Sequence, residues 1–259
     1  MAMLALIACC VAVMVAVMFS LWLLQRRTQN AGWVDVGWSA GVGLVGGLFA
    51  AFAPGDFARR ILVGALIVLW AARLALHILR RVVGEPEDGR YTRLREEWGD
   101  AAQSRLFRFY QIQAVLAVLF ALPVLVVAAD TRPGLGIREA VAVSIWCAAV
   151  VGEWIADRQL TRFRRDPANR GRTCRVGLWR TSRHPNYFFE WVHWWTYVVA
   201  GLGAPWWGVT LLGPVLMLFF LLKVTGVPAT EQRAALSRPD YEEYRRGTSA
   251  FVPWFTRRS

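Results

Sequence analysis

The stretch MLALIACCVAVMVAVMFSLWLL, residues 3–24, decides the fold. It is an unbroken apolar run, and about 20 helical residues are enough to cross roughly 30 Å of hydrocarbon. Such a segment is either a cleaved leader or a permanent span. No basic region precedes it and no small-residue cleavage site follows it, so it reads as a transmembrane helix that stays in the chain.

Outward from this segment, further apolar runs occur at 33–53, 61–79, 109–129, 137–156, 187–203 and 206–224, which gives about seven spans. Of 259 residues, 56% are hydrophobic and 14 are tryptophan, the formal net charge is +12, and the mean hydropathy is +0.36. That profile fits a polytopic membrane protein better than a basic soluble one. The expected fold is all-α, a single integral membrane domain. Its N-terminal four-helix half, 1–130, would hold a lipophilic substrate pocket, and its C-terminal half, 131–259, would carry a cofactor loop at 157–186 and a tail at 225–259. Cys9, Cys10, Cys147 and Cys174 show neither CxxC nor metal-ligand spacing, so no disulfide framework and no metal site is expected.

The arginines are concentrated in three segments. Arg80, Arg81, Arg90, Arg93, Arg95, Arg105 and Arg108 fall between the third and fourth runs, and Arg245, Arg246, Arg257 and Arg258 lie in the tail. The segment after Asp157 holds Arg158, Arg162, Arg164, Arg165, Arg170, Arg172, Arg175, Arg180 and Arg183. The positive-inside rule places all three in the cytoplasm, so an odd number of spans puts the N-terminus outside and the C-terminus cytoplasmic. The segment after Asp157 has only Asp157 and Asp166 as acids. Guanidinium forks pair bidentately with phosphate, so this composition suits a ligand with several phosphate oxygens. Topology alone, or contact with lipid phosphates, accounts for the same charges. No GxGxxG or Walker motif follows a strand, and no nucleic acid partner is expected.

Ionisable residues inside apolar spans are costly and mark function or buried pairs. Asp35 begins the second run; if buried it needs a donor, for which Arg73 and His77, four apart on one helical face, are available. Glu153 and Asp157 repeat that spacing, and Glu190 with His193 lie three apart. Gly37, Gly41, Gly43 and Gly47 have the separation that lets helices pack closely.

The segment ADRQLTRFRRDPANRGRTCRVGLWRTSRHPNYFFEW (156–191), with RPDYEEYRRGTSAFVPWF (238–255), resembles the DUF1295 branch of the steroid 5-alpha-reductase-like membrane proteins. The wider group includes sterol reductases and isoprenylcysteine carboxyl methyltransferases. VDVGW (34–38), WAARLALHILRR (70–81) and GRY (89–91) extend the resemblance more weakly. It implies a seven-helix fold whose C-terminal half holds a cofactor, NADPH in the reductases. Carried over by position, Asp157, Arg164, Asn186 and Glu190 fall on cofactor-holding positions, as does Arg90 from the earlier loop, with Tyr241 and Tyr244 in the tail motif. Arg183, at the seam where the loop enters the membrane, is expected to join them. The animal steroid reductases polarise the substrate carbonyl with a Gln-Glu pair in the second helix and a tyrosine in the third. Here Asp35 and the Arg73/His77 face occupy those regions, and Phe189 replaces the usual glycine before the glutamate.

The expected activity is therefore an NADPH-dependent reductase, an oxidoreductase acting on a CH-CH group, that reduces the conjugated double bond of a lipophilic enone such as a 3-oxo-4-ene steroid. Asp35 or His77 would be the catalytic proton donor. Two other readings stay open: an S-adenosylmethionine-dependent methyltransferase of a lipid, amine or carboxylate, and a non-catalytic lipid-binding protein. The family branch points to a bacterial inner (cytoplasmic) membrane, with membrane lipids as neighbours.

Overall fold

The protein is described by a computed structural model covering residues 2–254. Its helices are α1 (Ala2–Thr28), α2 (Trp33–Phe52), α3 (Phe57–Gly84), α4 (Gly89–Trp98), α5 (Ala102–Ala128), α6 (Ile137–Arg165), α7 (Pro185–Gly201), α8 (Leu212–Phe219), α9 (Val227–Ser237) and α10 (Tyr241–Gly247). Short 3₁₀ turns and one π segment, Phe220–Val224, connect some of them. Among the described residues there is no strand, and one isolated bridge pairs Ser182 with Ser249. Arg257 and Arg258 of the tail lie outside the described residues.

Six helical stretches are long and apolar enough to cross a membrane: α1, α2, α3, α4 running into α5, α6, and Trp207–Ser237. Seven were expected. The run at 187–203 forms α7, which has 17 residues and rises only about 26 Å, a few Å short of the hydrocarbon thickness. Its Trp, His and Glu content lowers its apolar character further.

The chain divides into two compact units, one of residues 1–139 with 200–212 and one of residues 140–199 with 213–259. In the first unit α2 packs against α1, α3 and α5. Its glycines make that approach possible: a Cβ on Gly41 would meet Met14 of α1 at 2.2 Å, and one on Gly43 would meet the Ala71 Cβ of α3 at 2.4 Å. The second contact is the stricter one, because an alanine methyl cannot swing aside. Trp38 fills the space beyond, edge-on to Trp70 and Phe120.

At one end of this unit Arg59, almost fully buried, pairs with Glu139 at 2.9 Å and donates to the carbonyls of Asp130, Arg132 and Gly134. Asp56 caps α3 by accepting from the Arg59 backbone N–H.

In the second unit Trp194 of α7 lies against Gly213, and the Trp191 indole donates to the Pro214 carbonyl at 3.1 Å. α9 and α10 share a small core of Ala234, Tyr241 and Tyr244.

Candidate functional site

The first unit gathers polar groups where α2 and α4 begin. One Asp35 oxygen accepts from the Tyr91 hydroxyl at 2.8 Å and the other from Arg90 Nη2 at 3.1 Å. The expected donors, Arg73 and His77, are not these partners. Asp35 sits in the first turn of α2 beside the first turn of α4, while His77 is exposed on α3 and makes no hydrogen bond among the described residues. Arg90 Nε also reaches Asp88, which caps α4. Burial works against the Asp88 charge, but the Arg90 N–H and guanidinium outweigh it and hold the carboxyl below its usual range.

The same end is closed by Glu87, which accepts from the Ala31 N–H at 2.6 Å and from Arg95, whose Nη2 also reaches Gln25. Every strongly polar group in this network finds a partner, which is how buried polar networks become rigid.

In the second unit the polar groups lie where α6 ends and α7 begins. Asn186 Nδ2 donates to Asp157 at 3.2 Å, joining two of the positions that the resemblance assigns to the cofactor. The Asn186 Oδ1 is buried and has no hydrogen-bond partner among the described residues. Asn186, Glu190, His193 and Tyr197 follow one another at spacings of four, three and four, so they form one stripe down α7. Glu190, His193 and Tyr197 are all buried, and the Tyr197 hydroxyl lies 3.3 Å from His193 Nε2. On α6, Glu153 is buried one turn before Asp157, and Arg164 is exposed two turns beyond it. Phe189 does not narrow this stripe by pointing into it. Its ring fills the groove left by Gly152 of α6, where a Cβ would sit 2.4 Å from the ring.

The loop between α6 and α7 is pinned to α6 from both sides. The Trp179 indole donates to the Ala156 carbonyl at 2.8 Å, and Gln159 accepts from the Leu178 N–H at 2.9 Å. Gly177, at φ +56°, passes so close beneath Gln159 that any side chain there would collide with it. Pro185 opens α7, a position where its missing N–H costs nothing.

Arg183, Tyr241 and Tyr244 belong to the contact between this loop and the tail. Arg183 donates to Glu231 at 2.7 Å and to the carbonyls of Arg245 and Thr248, and its backbone N–H bonds to Ser249. His184 approaches the same Glu231 oxygen at 3.3 Å and stacks flat on Tyr187. The Tyr244 hydroxyl donates to the carbonyls of Trp179 and Ser182. Burial pushes the Tyr244 phenol well up; burial, then the Glu231 carboxylate, pushes Tyr241 up to about 12. Asp240 accepts from both the N–H and the hydroxyl of Thr173, at 3.0 and 2.7 Å.

Tyr91, Glu231 and Tyr197 were not singled out from sequence. Tyr197 could have been, since it continues the 186/190/193 spacing by one turn. Tyr91 and Glu231 meet partners 56 and 48 residues away, which no local pattern encodes. Among the described residues, no group of three or more His, Cys, Asp or Glu side chains could hold a metal ion.

A family described as "Protein of unknown function (DUF1295)" matches residues 21–248 of the chain. Comparison with curated proteins and with solved structures returns no significant match.

Proposed function

The chain belongs to the DUF1295 family, and we propose that it is an NADPH-dependent reductase of the conjugated double bond of a lipophilic enone. The observation that carries this proposal is the Asn186 side chain. Its amide N–H is committed to Asp157, while its Oδ1 is shut away from water with no donor. A buried acceptor in that state costs on the order of 1–3 kcal/mol until a donor reaches it. A nicotinamide dinucleotide brings such donors in its carboxamide and ribose hydroxyls.

Asp157, Asn186 and Glu190 would hold the nicotinamide-ribose end, and Arg164 with Arg170 and Arg172 of the connection after α6 would take the phosphates. S-adenosylmethionine has no phosphate and uses that charge less well. When bound, NADPH supplies the hydride of the reduction.

The chain's own part is to fix the substrate carbonyl and to deliver one proton. Within the second unit, the Tyr197 hydroxyl backed by His193 is a proton-bearing pair on the Asn186 stripe. A phenol placed there would stabilise the negative charge that develops on the substrate oxygen, and His193 would replace the proton it gives up. Both Asp35 oxygens are already engaged by Arg90 and Tyr91, so the donor role expected of Asp35 or His77 passes in this proposal to Tyr197. Trp191, Trp194 and Trp195 on the same helix give the stripe apolar surroundings suited to a lipophilic substrate.

The test is consumption of NADPH by the purified protein, followed by the absorbance of reduced nicotinamide across a panel of enone steroids and shorter-chain enones. Tyr197→Phe should lower kcat with NADPH affinity intact, the pattern of a group used only in the transition state. If no enone is reduced and Tyr197→Phe changes nothing, the proposal fails.

A further inference from the structure

A second face of α6 carries a different site. Arg158, Arg162 and Arg165 lie at helical spacing with Thr161 and line a cleft of about 370 Å³. This face is turned roughly a quarter of a turn from Asp157, at 100° per residue. All three arginines are exposed, and among the described residues none forms an ion pair. The Arg158 guanidinium lies 4.9 Å over the ring of Trp154, itself half exposed. Towards the middle of the helix the same face continues as the exposed Val151 and Cys147, so that 147, 151, 154, 158, 162 and 165 run along one line.

That order of surfaces is apolar, then tryptophan, then three cations, over about five turns of helix. It matches the order of a bilayer leaflet: acyl chain, interface, headgroup. Water-exposed guanidiniums without acids need no such stripe, and a soluble ligand would have no use for Val151 and Cys147. We propose that this face of α6 binds the headgroup of an anionic phospholipid, with Arg158, Arg162 and Arg165 on the phosphodiester and Trp154 at the glycerol level. The Trp154 ring, 4.9 Å beneath the Arg158 guanidinium carbon, also gives that cation a cation–π partner. The site is separate from the Asn186 stripe and does not depend on the nucleotide proposal.

The test is native mass spectrometry of the detergent-purified full chain, titrated separately with dioctanoyl-phosphatidylglycerol, dioctanoyl-phosphatidylcholine and inorganic phosphate. Phosphatidylglycerol should bind, and the triple variant R158Q/R162Q/R165Q should weaken it by about tenfold or more, as expected for three cations at a membrane surface. Phosphatidylcholine and inorganic phosphate should bind weakly to both forms. The proposal is overturned if the variant keeps wild-type affinity for phosphatidylglycerol, if phosphatidylcholine binds as tightly, or if inorganic phosphate competes at equal concentration. It is overturned too if the variant loses affinity for NADPH in parallel, for the face would then belong to the nucleotide. Should the triple variant not fold, Arg158→Gln and Arg162→Gln singly must each weaken phosphatidylglycerol binding, and unchanged affinity in both rejects the site.

Discussion

Arg59 reaches a carboxylate 80 residues away and three backbone carbonyls between residues 130 and 134. Removing a buried cation so fully bonded takes the donor from three backbone carbonyls and the closest cation from Glu139, while Arg132 still pairs with Asp130 and Arg138 lies 3.6 Å from Glu139. Arg59→Met should therefore cost about 3–5 kcal/mol in reversible unfolding; a loss below about 1 kcal/mol would mean that water solvates the knot. Asp240 gives a prediction in pH. Burial opposes its charge, but the two Thr173 hydrogen bonds and the Arg175 cation outweigh it and hold the carboxyl below its usual range. A depressed folded-state pKa stabilises above the unfolded value, near about 4, and that stabilisation disappears as pH falls through the folded value. Hydrogen exchange in 241–247, corrected for intrinsic rates, should stay slow at neutral pH and rise only on acidification below that range. Thr173→Val should raise it already at neutral pH. Neither contact is legible in the sequence, because Arg59 reads as one more basic residue at a span end and Asp240 as a turn former.

At the level of helices, legibility depends on whether the cause is local. Apolar length and the absence of charge mark the spans α1, α2, α3, α5 and α6 directly, because the bilayer imposes length on each helix separately. The glycines of α2 announce close packing, and α1 and α3 approach where Gly41 and Gly43 allow it. The run at 206–224 reads as one span and falls in the stretch Trp207–Ser237, which is long and apolar enough to cross, but its backbone passes through a 3₁₀ turn, a short α-helix with Pro214 near its start, and a π segment. Hydropathy sees the apolar length but not the backbone geometry. The Phe189 substitution is legible only in part: the missing glycine is visible, but its compensation at Gly152, 37 positions earlier, is not. Gly152→Val should destabilise by about 1–3 kcal/mol through collision with the ring. Combined with Phe189→Ala it should recover much of that loss, and a double-mutant cycle measures the coupling. Simple additivity would show that the ring does not occupy that groove.

For the whole molecule, the net charge of +12 is divided among different uses. Arg90, Arg95, Arg175 and Arg183 are tied into internal ion pairs. Arg158, Arg162 and Arg165 are not, and we assign them to lipid. In the sequence the arginines after Asp157 fit a multi-phosphate ligand, topology alone or lipid phosphates equally; the structure ties Arg175 and Arg183 to Glu243 and Glu231, which sequence cannot show because those acids come from distant segments. In our proposal the buried Asn186 acceptor, beside Asp157, is the contact through which this chain would hold a nucleotide.

That claim is tested most directly by the thermal stability of the purified protein, measured side by side with NADPH, NADP, S-adenosylmethionine and S-adenosylhomocysteine, in wild type and Asn186→Ala. A ligand that binds only the folded state stabilises it by about 2.7 kcal/mol at a hundredfold excess over its dissociation constant. NADPH and NADP should stabilise the wild type, and Asn186→Ala should lose most of that gain while its ligand-free stability stays close to wild type. Stabilisation by the adenosyl compounds alone, or an NADPH gain that survives in Asn186→Ala, would contradict the assignment.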